Sequence, residues 1–279
     1  MAEMLNGKVA IVTGSGRGIG RGIAKLMAAE GASVVVVDPG VNVDGSGQDQ
    51  SVAEQVVAEI KADGGNAIAC MELVTEMEGG EKIVQAAVDN FGKLDIVVTC
   101  AGILRDRMIF NMSEDEWDAV IAVHLKGTFT VVKNASILMR QQRSGRIITF
   151  SSESGLMGNS GQANYGAAKS GIAGFTKVVA KDMGRYGVTV NSIAPRASTR
   201  MIADIPDTAS EIRARSGVEA IAGEEDLANL DQDHIAPFVA YLASDFADNV
   251  NGQTFLVYGN TISLAVSYTH LTLPTNREV

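Results

Sequence analysis

A chain of 279 residues with 46% hydrophobic content can bury one large α/β core or two small ones. Its net charge of −10 argues against nucleic acid as a partner, because an acidic surface repels phosphate backbones, yet a local loop can still hold a small anionic cofactor. Two cysteines, Cys70 and Cys100, give neither a disulfide framework nor a metal site and fit a reducing compartment.

Residues 1–7 show no basic stretch leading into an apolar one, and no apolar run approaches about 18 residues. The expectation is a cytoplasmic protein without a membrane span. Lys8–Thr13 reads as a buried strand, Gly18–Glu30 as a helix stopped by Gly31, and Ala32–Asp38 as a second strand. Gln50–Asp63 is a helix ended by Gly64 and Gly65. A third strand follows at Asn66–Met71, a helix at Gly80–Phe91 and a fourth strand at Leu94–Thr99. A long helix over Ser113–Arg140 carries a capping signal, Ser113 with Glu116 three residues on. The remaining elements are a strand at Arg146–Ser151, a helix at Ala163–Arg185, a strand at Val188–Ile193, a helix at Asp233–Ser244 and a short strand at Gln253–Val257.

Apolar strands that alternate with helices predict a doubly wound, Rossmann-type parallel sheet with helices on both faces. No repeat or linker breaks the rhythm, so residues 1–266 read as one domain. Pro39–Asp49, rich in Gly, Asp and Asn, reads as a mobile loop after the second strand. Arg196–Asp231 follows a strand at the carboxyl edge and reads as a substrate-covering lid. Ser267–Val279 carries no periodic pattern and reads as a non-native or disordered tail.

The first chemical motif is Thr13-Gly-Ser-Gly-Arg-Gly-Ile-Gly20, between a strand and a helix. Glycine permits positive φ and close backbone approach to a pyrophosphate, and the helix start offers free N–H groups to that anion. Gly14, Ser15, Gly16, Arg17, Gly18, Ile19 and Gly20 are the candidate contacts. Asp38, eighteen residues after Gly20, can accept hydrogen bonds from the ribose hydroxyls and would repel a 2′-phosphate. It favours NAD. Arg17 pulls mildly toward NADP, which stays open.

The second motif is Tyr165-Gly-Ala-Ala-Lys169. Residues at i and i+4 share a helix face, and an ammonium there is expected to lower the phenol pKa from about 10. Such a tyrosine exchanges protons with an alcohol or carbonyl oxygen. Ser151 and Ser152 end the preceding strand, where a hydroxyl can hold that oxygen.

Together the turn Thr13–Gly20, the set Ser152, Tyr165 and Lys169, and Asn191-Ser-Ile-Ala-Pro195 resemble the short-chain dehydrogenase/reductase family, from about Gly7 to about Gly259. The resemblance implies Tyr165 as general acid/base, Lys169 on the nicotinamide ribose, and Ser152, thirteen residues before the tyrosine, on the substrate oxygen. It also implies cofactor contacts from Val74, Ala101, Gly102, Pro195 and Thr199, besides Tyr165 and Lys169. A homotetramer or homodimer through the two long helices is implied as well. The segments 101–107, 123–129, 161–165 and 194–201 are similar, more narrowly, to the (3R)-hydroxyacyl-CoA dehydrogenase units of peroxisomal multifunctional enzymes.

Several positions depart from the family pattern. Thr99-Cys100-Ala101-Gly102 stands where Asn-Asn-Ala-Gly is usual, Leu73 where an acid is usual, and Arg196 where a glycine is usual. His124 replaces an asparagine that serves a water-linked proton relay. It either keeps that role or is a packed helix residue. Arg105 and Arg107 either meet an anionic group such as a CoA phosphate or are solvated. Met108, Met112 and Met157 either line an acyl pocket or belong to the core. The reading that results is an NAD-dependent oxidoreductase acting between a secondary alcohol and a ketone, with a 3-hydroxyacyl thioester as substrate. The alternatives are an NADPH-linked 3-oxoacyl carrier-protein or general carbonyl reductase, and a non-catalytic nucleotide sensor.

Overall fold

The computed structural model describes residues 3–47, 49, 51–197 and 231–266. The expected tail, Thr199 and nearly all of the expected lid lie outside these residues. In chain order the elements are β1 (Val9–Thr13), α1 (Gly18–Ala29), β2 (Ser33–Val37), α2 (Ser51–Ala62), β3 (Asn66–Cys70), α3 (Met77–Phe91) and β4 (Ile96–Thr99). Then come α4 (Glu114–Ile121), α5 (Gly127–Gln142), β5 (Gly145–Phe150), α6 (Glu153–Leu156), α7 (Ala163–Gly184) and β6 (Val188–Pro195). The last are α8 (Ala236–Ala243), β7 (Thr254–Tyr258) and β8 (Thr261–Leu264).

The strands form one sheet in the order β3-β2-β1-β4-β5-β6-β7-β8. All neighbours are parallel except β7 and β8. The doubly wound Rossmann-type architecture is therefore present, with one antiparallel edge. Strand periodicity explains the two layers. Ala10, Val12, Val34, Val36, Ile96 and Val98 face a core built with Ile23, Met27, Val56, Ile60 and Val239 of α1, α2 and α8. Val9, Ile11, Val35, Val37 and Val97 face the opposite core, with Ile83, Val131, Met139 and Met183 of α3, α5 and α7. The strand order reverses between β1 and β4, and in such sheets that switch point opens the ligand crevice at the carboxyl ends.

The capping box is formed: Ser113 Oγ accepts from Glu116 N at 3.1 Å, and Ser113 N donates to Glu116 Oε2 at 2.9 Å. The single helix expected from Ser113 to Arg140 is instead interrupted by a π turn at Ala122–Lys126. Glycine and proline are missing from 113–126, so no local signal marks the extra residue. The helix expected over Asp233–Ser244 starts with a 3-10 turn at Gln232–His234, and α8 begins only at Ala236. The last strand is a hairpin arm whose partner, β8, was not expected. β8 is exposed along its length, so it carries no buried face for periodicity to reveal.

Candidate active site

β1 ends at Thr13, and the chain turns through Gly14 (φ 66°) and Gly18 (φ 56°). A Cβ on Gly14 would lie 2.6 Å from Ala101 Cα, and one on Gly20 would lie 2.2 Å from Gly14 O. No side chain fits in either place. Arg17, the N-cap of α1, makes no side-chain capping bond, and the first turn holds no acid. The open amides and the positive end of the helix suit a pyrophosphate. Gly16, between these glycines, presents its N–H to the carboxylate of Asp38. Ile19 packs against the core.

Ser15 turns its side chain into the fold. Its buried hydroxyl donates to Val12 O at 2.6 Å and accepts from Val37 N at 3.0 Å. The side chain ties β1 to β2, and Ser15 N adds a further bond to Val37 O at 3.2 Å.

Asp38 Oδ2 accepts from Gly16 N at 2.9 Å, and Oδ1 accepts from Gly40 N at 2.8 Å. The carboxylate is thus fixed beside the turn, with lone pairs left on both oxygens. Among the described residues of the loop expected after the second strand, Val41, Val43 and Asp44 are tied through their carbonyl oxygens. Arg17 Nη1 donates to Val41 O at 3.3 Å, Leu104 N to Val43 O at 2.9 Å, and Arg105 Nε to Asp44 O at 2.8 Å. Arg105 is therefore a tether to this loop, and Arg107 pairs with Glu116 at 2.9 Å.

Thr13 holds the segment Thr99–Gly102, where the family's asparagines are missing. Its hydroxyl accepts from both Cys100 N and Ala101 N at 3.2 Å. Burial pushes the Cys100 thiol up to about 12. Val74 is buried against Gly127, and its carbonyl accepts from Thr130 Oγ1 at 2.6 Å. Leu73 is exposed.

β5 delivers Ser151 and Ser152 to the carboxyl edge. Ser152 caps α6, its hydroxyl accepting from Ser154 N at 3.2 Å. Its hydroxyl is near enough to the phenol of Tyr165 to favour the phenolate. Lys169, buried one turn along α7, donates from Nζ to Phe150 O at 2.6 Å and lies 5.5 Å from the centre of the Tyr165 ring. Ser152, Tyr165 and Lys169 therefore converge. Burial holds the lysine down to about 8. The tyrosine moves against expectation: burial pushes its phenol up to about 12, and the nearby Ser152 hydroxyl only partly opposes this.

His124 lies on the π turn, with its ring edge-on to Tyr165 at 5.1 Å. Its Nε2 meets the backbone of Ile103. Burial, and then the charge of Lys169, hold the imidazole down to about 3. A Cβ on Gly102 would come within 2.4 Å of its Cε1.

Asn164, a residue the sequence reading passed over, sets the entry to α7. Its fully buried side chain donates to Arg105 O at 2.9 Å and Glu116 O at 3.0 Å, and accepts from Tyr165 N at 2.8 Å. An amide side chain just before a tyrosine at a helix start was the available signal. Gln162 joins it, donating to Asp106 Oδ2 at 2.7 Å and accepting from Ser154 Oγ at 2.7 Å. Pro195 ends β6 beside Val257 of β7.

A glycine cradle at a switch point, with a serine, tyrosine and lysine beside it, defines a dinucleotide-dependent oxidoreductase. The family model for short chain dehydrogenases matches residues 8–210, and the chain belongs to that family. It is 42% identical over 275 residues to a hydroxyacyl-CoA dehydrogenase of Mycobacterium tuberculosis, covering 96% of this chain and 82% of that protein. It is 40% identical over 252 residues to the peroxisomal multifunctional enzyme type 2 of Mus musculus, covering 90% of this chain and 32% of that longer one. A crystal structure of a short chain dehydrogenase from Mycobacterium avium superposes with a TM-score of 0.80 at 43% identity, covering 96% of this chain and 87% of the other. The chain is an NAD(P)-dependent oxidoreductase that interconverts a secondary alcohol and a ketone. Its substrate is a small molecule. Among the described residues, no helix is long and apolar enough to cross a membrane.

Proposed function

We propose that the chain oxidises a 3-hydroxyacyl thioester with NAD and runs the reverse reduction. The observation that carries this is the convergence of Ser152, at the end of β5, with Tyr165 and with Lys169, whose Nζ lies 5.5 Å from the tyrosine ring. Tyr165 takes the proton of the substrate hydroxyl, and Ser152 holds and polarises the substrate oxygen. Bound NAD supplies the hydride acceptor at C4 of its positively charged nicotinamide. Lys169 holds the ribose hydroxyls with the donors that Phe150 O leaves over. Its charge favours the phenolate that burial alone disfavours. His124, with one nitrogen on Ile103, is assigned to the water-linked proton relay.

Asp38 supports NAD over NADP, since its fixed carboxylate suits ribose hydroxyls and repels a phosphate. The names of the two relatives support an acyl-CoA as the thioester. Leu156 and Met157, exposed just beyond the Ser152 turn, suit an acyl chain. One catalytic domain over residues 1–266, a cytoplasmic location and a homodimer or homotetramer belong to the same reading. Trp117, Phe129 and Val178 support such an assembly, standing exposed on α4, α5 and α7.

The test is cofactor absorbance with acetoacetyl-CoA and either NADH or NADPH. NADH is expected to be preferred. Tyr165→Phe is expected to lose roughly 10²–10⁴-fold in turnover while still binding NADH. Substantial turnover by that variant overturns the role of Tyr165, and a strong NADPH preference overturns the role of Asp38.

A further inference from the structure

We propose that Arg196 is a positioning residue for Ser152, acting through Glu153; this rests on the reading of Ser152 as the residue that holds the substrate oxygen. Arg196 is the first residue past β6, and its own N–H donates to Val257 O at 2.9 Å. Its guanidinium forks onto Glu153: Nε donates to Oε2 at 2.8 Å, and Nη2 donates to Oε1. The guanidinium carbon also lies 5.0 Å from the centre of the Tyr258 ring. Only 12% of the arginine side chain and 22% of the glutamate side chain are exposed.

The placement of this pair matters. The residue before Ser152 is held twice, by Ser151 N donating to Ile193 O at 2.7 Å and Ser151 Oγ donating to Lys169 O at 2.8 Å. The residue after it is Glu153, the first residue of the four-residue helix α6. So short a helix has too few internal bonds to hold its own place. Ser154 Oγ, bonded to Gln162, and Gly155, packed on α7, hold the far side of α6; the glutamate side chain is the anchor next to Ser152, and Arg196 ties it to β6, β7 and the Tyr258 ring. A planar fork fixes direction as well as distance, which a lysine cannot do. The serine hydroxyl sits one residue from this clamp, where a shift of about 1 Å can cost roughly 10²-fold in rate.

The test uses the full chain with Arg196→Met, Arg196→Lys, Glu153→Gln and the double variant Glu153→Gln/Arg196→Met. The readouts are kcat and KM with acetoacetyl-CoA and NADH, NADH affinity by fluorescence, and amide exchange at Ser154, whose N–H rests on Ser152 Oγ. Arg196→Met is expected to lose roughly 10–100-fold in kcat while NADH affinity stays within about twofold. Ser154 exchange is expected to quicken about tenfold. Arg196→Lys should recover only part of the loss, and the double variant should be no worse than the worse single one, as a shared interaction requires. A folded Arg196→Met with unchanged kcat and unchanged Ser154 exchange overturns the proposal. A fall in NADH affinity as large as the fall in kcat also overturns it, by placing the arginine in the cofactor site. Should Arg196→Met not fold, Arg196→Lys and Glu153→Gln carry the same readouts. If the wild-type chain fails to reduce acetoacetyl-CoA, the proposed substrate is wrong, and Ser154 exchange still decides the clamp.

Discussion

The Nε2 atom of His124 lies 3.1 Å from the amide nitrogen and 2.8 Å from the carbonyl oxygen of Ile103. One backbone residue thus offers the ring both a donor and an acceptor, and either neutral tautomer is satisfied at Nε2. Nδ1 is buried with no hydrogen-bond partner among the described residues. A proton added there would be a buried charge close to Lys169.

His124 is therefore expected to stay neutral down to about 3. Its folded pKa lies below the unfolded value of 6.5, so the unfolded chain binds the proton first. The stability at stake is full above that unfolded value and is lost as pH falls through it toward about 3, by up to about 5 kcal/mol. Ring-proton NMR should show no titration of His124 across neutral pH. His124→Asn should flatten the fall in urea midpoint between about pH 7 and about pH 4. An unchanged slope would refute the burial argument.

Lys169 and Tyr165 give opposite signs at alkaline pH. The lysine, held near 8 from 10.5, makes the folded chain shed its proton early, so stability rises between these values. The tyrosine, pushed from 10.0 to about 12, keeps its proton when folded, so stability falls through that range. Melting temperatures of the wild-type chain and Lys169→Met should converge in favour of the wild type as pH rises from about 8 to about 10. A constant gap between the two would contradict a buried, depressed lysine.

Asp38→Ser is expected to shift the ratio of kcat/KM for NADH over NADPH toward NADPH by roughly 10–100-fold. The gain should come mainly from a lower KM for NADPH, since the repelling carboxylate is gone. Gly16 and Gly40 would lose their acceptor, so a modest loss with NADH is expected too. No change in the ratio would mean that Asp38 does not face the ribose.

Gly102→Ala places a methyl group 2.4 Å from the His124 ring. The ring is buried and held at Nε2, so it cannot swing aside freely. Destabilisation of about 1–3 kcal/mol is expected from overpacking, readable as a lowered urea midpoint. His124→Ala in the same chain should relieve it, and absence of relief would place the strain elsewhere.

The central strands β1, β2, β4, β5 and β6 were legible because each is short, rich in β-branched residues and buried on both faces. Val34 to Val37 alternate between two cores, yet all read as apolar. Asp38 and the glycine turn were legible because their spacing is local. The π turn at Ala122–Lys126 was not, since one extra residue leaves the apolar pattern of a helix nearly intact. β8 escaped because an exposed arm has no side that must be apolar. The Tyr165 shift was misjudged in direction because i to i+4 spacing brings a lysine near but says nothing about burial, and burial dominates. Ser15 lies within the motif but faces inward, which only the packing of β1 on β2 decides.

The loop over residues 39–49 is gripped by its main-chain oxygens: those of Val41, Val43 and Asp44 receive the bonds from Arg17, Leu104 and Arg105. A carbonyl is the same on every residue. These three bonds therefore do not depend on which side chains stand at 41, 43 and 44, although Asp44 Oδ1 also holds Ser46 and Val41 packs beside Ile103. The path of this segment is thus written at Arg17 and Arg105, far from it in sequence, more than in the residues that it displays.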